Sequence, residues 1–169
     1  MSLTERGTHF EFGENWKAYS SKIDQKRIDF AVEGVRKLLG DVAGQTFLDI
    51  GCGSGLHSLA ALKLGAGSVR AIDLDENSVS TTRQLLTELG PQGNWRADVV
   101  SIFDATPSSL GTFDVVYSWG VLHHTGDMWR AIERAATLVK PGGRFAIAIY
   151  ATTFCDSFWK NMSDTKLVV

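Results

Sequence analysis

The order of apolar and polar positions divides this chain into alternating helices and strands. From Lys22 to Leu39, apolar residues fall at Ile28, Ala31, Val32, Val35, Leu38 and Leu39, which predicts a helix with one face inward. Gly40 and Gly44 stop it. Thr46 to Ile50 is a short apolar run suited to a buried strand, and Leu56 to Leu64 is a second helix ended by Gly65 and Gly67. Ser68 to Leu74 is the second strand, and Glu76 to Leu89 is a helix with Val79, Leu86 and Leu89 on one face, closed by Gly90-Pro91. Asn94 to Asp98 and Phe113 to Ser118 are the third and fourth strands. Asp127 caps a helix carrying Met128, Ala131, Ile132, Ala135, Leu138 and Val139. Pro141-Gly142-Gly143 then turns the chain into a fifth strand, Arg144 to Tyr150.

Strands separated by helices of this length form β-α-β units and a parallel sheet. Right-handed crossovers make it an α/β, doubly wound fold with helices on both faces. Ligands of such sheets sit beyond the carboxyl ends of the strands, near the point where strand order reverses. The residues just after each strand are therefore the candidates for chemistry. No internal repeat, linker or low-complexity stretch interrupts the pattern.

Composition narrows the functional classes. A length of 169 residues, 44% apolar and 21% charged, fits one domain with a substantial core. The 17 basic and 19 acidic side chains leave a formal charge of −2, which offers no electrostatic case for binding nucleic acid or a membrane surface. Cys52 and Cys155 are far apart and lack metal-ligand spacing, so neither a disulfide framework nor a zinc site is expected. No apolar run approaches the ~18 residues of a membrane span, and the N-terminus lacks a signal-peptide pattern. A reducing cytoplasm is the expected compartment.

After the first strand comes Gly51-Cys52-Gly53-Ser54-Gly55, a loop that bends tightly, lets a ligand approach the backbone, and delivers free N–H groups at a helix start. Its G-x-G-x-G spacing differs from the G-x-G-x-x-G of dinucleotide sites. Asp49 precedes it, and a pyrophosphate would have to tolerate that acid, whereas an ammonium would gain from it. Asp49 could equally hydrogen-bond loop backbone. After the second strand, Asp73 suits a pair of ribose hydroxyls or a helix cap, and Leu74 suits one face of a purine. After the third strand, Asp98 and the backbone of Val99 suit an adenine edge, or simply a turn. After the fourth come Ser118-Trp119-Gly120 and the adjacent pair His123-His124, whose side chains diverge too much to share a metal in the i, i+4 manner.

Taken together, F-L-D-I-G-C-G-S-G at 47–55, A-I-D-L-D at 71–75, A-D-V-V at 97–100, F-D-V-V-Y-S-W-G-V-L-H-H at 113–124 and L-V-K-P-G-G-R at 138–144 resemble the class I S-adenosylmethionine-dependent methyltransferases. The resemblance spans about residues 10–160 and implies a Rossmann-like fold, S-adenosyl-L-methionine as cofactor and S-adenosyl-L-homocysteine as product. It places Gly51, Cys52, Gly53 and Gly55 around the methionine part, Asp49 near its ammonium, and Asp73 on the ribose. Leu74 and Val99 would flank adenine, Asp98 would take its amino group, and Ser118 and Trp119 would line the side near the sulfonium. Residues 1–21 read as an aromatic arm, in which Trp16 and Tyr19 would close the pocket and Tyr19 would reach the cofactor carboxylate. The implied reaction is an in-line displacement on a small-molecule acceptor, with His123 or His124 as general base where the acceptor carries a proton, or in a packing role otherwise. A cofactor-binding domain without turnover and an NAD-binding relative are the alternatives.

The carboxyl end departs from the resemblance. After the fifth strand such proteins continue through a helix and a strand hairpin, whereas residues 161–169 read as an atypical tail to a domain spanning 22–160. Without that hairpin, 144–150 becomes an apolar edge, for which a homodimer or swapped assembly is expected. Leu167-Val168-Val169 is the alternative cover, as a short protective strand.

Overall fold

The computed structural model describes residues 23–150 and the backbone of 165–168. Its sheet has the order β3-β2-β1-β4-β5-β6. The strands are β1 (Thr46–Ile50), β2 (Ser68–Asp73), β3 (Trp95–Val99), β4 (Phe113–Trp119), β5 (Val139–Tyr150) and β6 (Thr165–Val168). The pairs from β3 through to β5 are parallel, and β6 runs antiparallel to β5. This is the doubly wound α/β sheet that the strand and helix alternation predicts. Order reverses between β1 and β4, the place where such folds open a ligand crevice.

Helices cover both faces. α1 (Gln25–Leu39), α2 (Leu56–Lys63) and α3 (Glu76–Leu89) pack on one, where Val35, Leu59 and Leu86 meet Phe47, Val115 and Tyr117. α4 (Pro107–Leu110) and α5 (Met128–Ala136) lie toward the other, where Ala131 and Ala135 join Leu48, Ile50, Ile72 and Val116. Phe47 to Ile50 are all buried because β1 is central and covered on both sides, which is why it reads as a continuous apolar run rather than an alternation. Asp24 starts α1 by accepting from the Arg27 N–H at 2.9 Å, three residues later than the pattern predicts. No helix of the described residues is long and apolar enough to cross a membrane.

Two predicted features differ. The helix after Asp127 ends at Ala136, and Val139 already belongs to β5. Pro141-Gly142-Gly143 is not a turn between elements but a bulge inside β5. Phe113 faces Val139 while Val115 faces Arg144, so the extra residues loop out of the ladder. Beyond the bulge, Arg144 donates to the Leu39 and Asp41 carbonyls and to Gln45 Oε1, tying β5 to the end of α1. The second difference concerns the sheet edge. Ile147 to Tyr150 pair with Val168 to Thr165, so the described chain covers most of the edge itself, in the manner of the protective strand. That removes the physical argument for a dimer through 144–150. The arm at 1–21, with Trp16 and Tyr19, lies outside the described residues.

Candidate functional site

A cavity of about 630 Å³ opens beyond the carboxyl ends of the strands, floored by the loop after β1 and walled by α1, β2, β4 and the segment that follows β4. The loop is held from below. The N–H groups of Gly51 and Cys52 both donate to the Ile72 carbonyl, at 2.8 and 3.1 Å, and that of Gly55 donates to the Cys52 carbonyl at 2.8 Å. The Gly53 N–H donates to Asp73 Oδ2 at 3.0 Å. These four loop donors are therefore engaged within the protein; the free N–H groups expected at the helix start are the first-turn groups of α2, a separate set. A phosphate would find no nest of loop amides here.

Gly51 has φ 74°, and a Cβ there would stand 2.4 Å from Val121 Cγ2. Gly55 has φ 80° and lets α2 approach Thr82 so closely that a Cβ would lie 2.9 Å from that side chain. The loop's glycines thus serve backbone conformation and close approach together. Cys52 lines the cavity while its Sγ accepts from Thr82 Oγ1 at 3.3 Å, and burial pushes its thiol up, away from the reactive thiolate.

The two acids next to the loop differ in exposure. Asp73 lines the cavity and accepts from Gly53 and Asp75 N–H groups, each at 3.0 Å, with its pKa raised by burial. Asp49 lies beneath the floor, 2% exposed, and accepts from both the hydroxyl of Ser58, at 2.6 Å, and its backbone N–H. It thereby caps α2 from a different element. Burial outweighs those bonds and raises its pKa to about 6.

Of the other predicted positions, Gly51, Gly53, Leu74, Trp119 and His124 line the cavity. Asp98, Val99 and Ser118 do not. Asp98 is turned to Arg70 at 2.8 Å and Arg96 at 2.9 Å, so the expected contact with an adenine amino group is not the arrangement found. The wall after β3 is made by Val100, Ser101 and Ile102 instead. Ser118 is buried and donates to the Ile50 carbonyl at 3.0 Å, bracing β4 against β1 rather than facing a ligand. His123 packs behind His124, with ring centroids 3.9 Å apart, and edge-on to Tyr150 at 5.3 Å. Both its ring nitrogens are buried without a partner, and burial lowers its pKa.

Sequence reasoning names Trp119 but passes over the rest of an aromatic wall. Tyr117 and Trp119 are stacked at 5.9 Å and 9°, and His57 of α2 tilts against both, at 5.1 and 6.0 Å. All three line the cavity, with Phe30 of α1 and Tyr150 of β5. Burial lowers the His57 pKa to about 4, leaving a neutral imidazole at neutral pH. Besides Trp119, Phe30 offered a visible signal, an aromatic off the apolar face of α1 that the structure leaves 82% exposed.

The charged side chains among the described lining residues are Asp73 and Asp75, with no lysine or arginine. Among the described residues no group of three or more acids, histidines or cysteines is placed to hold a metal. Two acids, a hidden third carboxylate, an engaged loop and an aromatic wall suit a positively charged nucleoside and disfavour a pyrophosphate.

Comparison with known proteins agrees with that chemistry. Residues 47–143 match a family model described as a methyltransferase domain. A ubiquinone biosynthesis O-methyltransferase of Xanthomonas euvesicatoria is 38% identical over 108 residues, 64% of this chain and 44% of that protein. A tRNA U34 carboxymethyltransferase of Idiomarina loihiensis is 31% identical over 121 residues, 72% of this chain and 38% of that protein. The crystal structure of magnesium protoporphyrin IX methyltransferase from Synechocystis, with bound S-adenosylhomocysteine, superposes with a TM-score of 0.59 at 25% identity, over 73% of this chain and 54% of that one. The chain spans less than half the length of the two curated relatives.

Proposed function

Since the chain belongs to the S-adenosylmethionine-dependent methyltransferase family, we propose that it transfers the cofactor's methyl group to oxygen of a small, uncharged acceptor. The observation that carries this reading is the cavity: a glycine loop whose Gly51, Cys52, Gly53 and Gly55 N–H groups are engaged, Asp73 at its rim, and described walls without a basic side chain. When bound, the cofactor supplies an electrophilic methyl on a sulfonium. The chain's residues position and enclose the reactants. Asp73 has acceptor capacity left for ribose hydroxyls beyond the Gly53 and Asp75 bonds it already makes. Leu74 and Ile102 offer apolar surface to the base, and the edge of Gly51 and Gly53 runs beside the amino-acid part. Trp119 and Tyr117 keep water from one side of the reacting centre. His124, which faces the cavity, is the better candidate than His123 for taking the acceptor's proton.

The O-methyltransferase relative supports oxygen as the acceptor atom, and a small acceptor fits the enclosed aromatic wall. A nucleic-acid acceptor calls for basic surface, which neither the formal charge of −2 nor the described cavity walls supply. The test is transfer of labelled methyl from S-adenosylmethionine to a panel of small phenols, small amines and unmodified tRNA. Label is expected in a phenol. Label in tRNA or an amine alone, or none in any acceptor despite tight cofactor binding, would overturn the reading.

A further inference from the structure

The crevice has two halves. Asp73, Leu74 and Ile102 line the part beyond β2 and β3, where the nucleoside belongs on the proposed function. Tyr117, Trp119 and Tyr150 line the part beyond β4 and β5, which is left for the methyl acceptor. α1 stands over this second half. Arg144, where β5 resumes after its bulge, donates to the Leu39 carbonyl at the end of α1. Trp119, at the end of β4, packs against the cluster that holds Ile28, Ala31 and Val35. The helix therefore ends toward the base of the sheet and brings its earlier turns to the cavity.

Packing does not explain two residues of α1 there. Gly34 sits inside the helix, where glycine is less favourable than any residue except proline. Around the cavity the fold requires its other glycines: Gly51, Gly55 and Gly120 have positive φ and leave no room for a Cβ. Gly34 meets neither condition. Its φ is not positive, and among the described residues a Cβ there would meet nothing within 4 Å. The missing side chain leaves open space, and Gly34 lines the cavity. Phe30 lies one helical turn earlier on the same face and lines the cavity too, yet its ring is largely exposed. The strand side of this half is already filled. Tyr150 lies so close on Gly120 that a Cβ there would stand 2.6 Å from its ring, and Trp119 stacks on Tyr117. The α1 side therefore sets the room available.

We propose that Phe30 and Gly34 form a shelf for a flat aromatic acceptor: the Phe30 ring stacks on it, and the bare backbone of Gly34 admits its width. Gly34 is then a specificity-determining residue. The proposal rests on the methyl-transfer reading above. Aromatic faces attract one another beyond the area they bury, and this half contributes no carboxylate, lysine or arginine to the described lining.

The experiment is calorimetry on the full chain saturated with S-adenosylhomocysteine, with phenol and 2-naphthol as one-ring and two-ring probes. Wild type is expected to bind both. Gly34→Leu keeps a helix-favouring residue and fills the notch. It is expected to weaken 2-naphthol by about 10-fold or more, and phenol and S-adenosylhomocysteine each by less than about 3-fold. Phe30→Ala is expected to weaken both phenols by about 3- to 10-fold. Gly34→Ala is expected to raise the melting temperature by about 2–4 °C, as a helical glycine in open space allows. Wild type that binds S-adenosylhomocysteine but not 2-naphthol would overturn the shelf. So would equal weakening of the two phenols by Gly34→Leu, weakening of neither, or a lower melting temperature in Gly34→Ala. Loss of S-adenosylhomocysteine binding in Gly34→Leu would overturn it as well, by giving the notch to the cofactor. Gly34→Met decides by the same criteria should the Leu variant fail to fold. Wild type that binds no S-adenosylhomocysteine would instead remove the cofactor reading on which the shelf stands.

Discussion

Asp73 and Asp98 stand at the ends of neighbouring strands and look alike in the sequence, yet the structure gives them opposite duties. In the β2–β3 ladder, Asp73 pairs with Val99 and Asp98 with Ile72. Paired residues share a face of the sheet and consecutive residues alternate, so the two acids point to opposite sides. Asp73 turns to the cavity and holds the glycine loop. Asp98 turns to Arg70 and Arg96 and joins the two strands through charge. One residue of register separates a cavity-facing carboxylate from a structural one.

The sharpest way to break this contrast is to remove each acid in turn. Asp73→Ala deletes a cavity-facing acceptor and frees the Gly53 N–H, so binding of S-adenosylhomocysteine is expected to weaken by about 100-fold in calorimetry. Asp98→Ala is expected to leave binding within about 3-fold and to lower unfolding stability by about 1–3 kcal/mol, because it strands the mostly buried Arg70 guanidinium. The Arg96 bond adds little to that cost, since Arg96 is largely exposed. Equal binding losses in the two variants would collapse the distinction.

Asp49 extends the comparison to an acid that faces neither the cavity nor a basic partner. Its pKa in the fold, about 6, lies above the ordinary value of 3.8 because burial disfavours the charge. The unfolded chain therefore holds this proton less tightly, and the contribution of Asp49 to stability falls as pH rises from about 4 through 6. Asp49→Asn removes the titration. Its melting temperature is expected to exceed that of wild type at pH 8, by an amount on the order of 2 kcal/mol in stability, with the difference shrinking toward pH 4. Urea denaturation across that range checks the sign. A variant less stable than wild type at pH 8 would show that the Ser58 bonds dominate over burial.

The smallest effect is expected at the paired histidines. His123→Leu replaces two unpartnered buried nitrogens with apolar atoms, so stability is expected to change by less than about 1 kcal/mol and methyl transfer to remain near the wild-type rate. A large loss of single-turnover rate would instead give His123 a part in the chemistry that its position behind His124 does not suggest.

What the sequence revealed follows from how local each feature is. The glycine loop was legible because positive φ and close approach select glycine whatever surrounds it, as Gly51 against Val121 illustrates. The alternation of strands and helices and the two helical layers were legible because the hydrophobic periods are long and regular. The facing of Asp98 was not, since it depends on the register of β3 on β2, which a short strand hardly advertises. Ser118 read as a ligand contact because it follows a strand, but its hydroxyl is taken by the Ile50 carbonyl across the ladder. His57 was invisible for another reason: in the chain it is one of several polar residues, with Ser58 and Lys63, in a largely apolar helix, and only the packing of α2 on β4 brings it beside Tyr117 and Trp119. Pro141-Gly142-Gly143 signalled a break in regular backbone correctly and its place wrongly, because a bulge and a turn call for the same residues.

The double donation from Gly51 and Cys52 to the single carbonyl of Ile72 has a bearing on kinetics. A site whose floor is already tied to the neighbouring strand does not wait for its ligand to take shape. Association then involves little rearrangement of the floor, and encounter depends chiefly on access through the mouth. On the proposed S-adenosylmethionine reading, residence time would be set by contacts at the cavity wall, Asp73 among them, rather than by any opening of the loop.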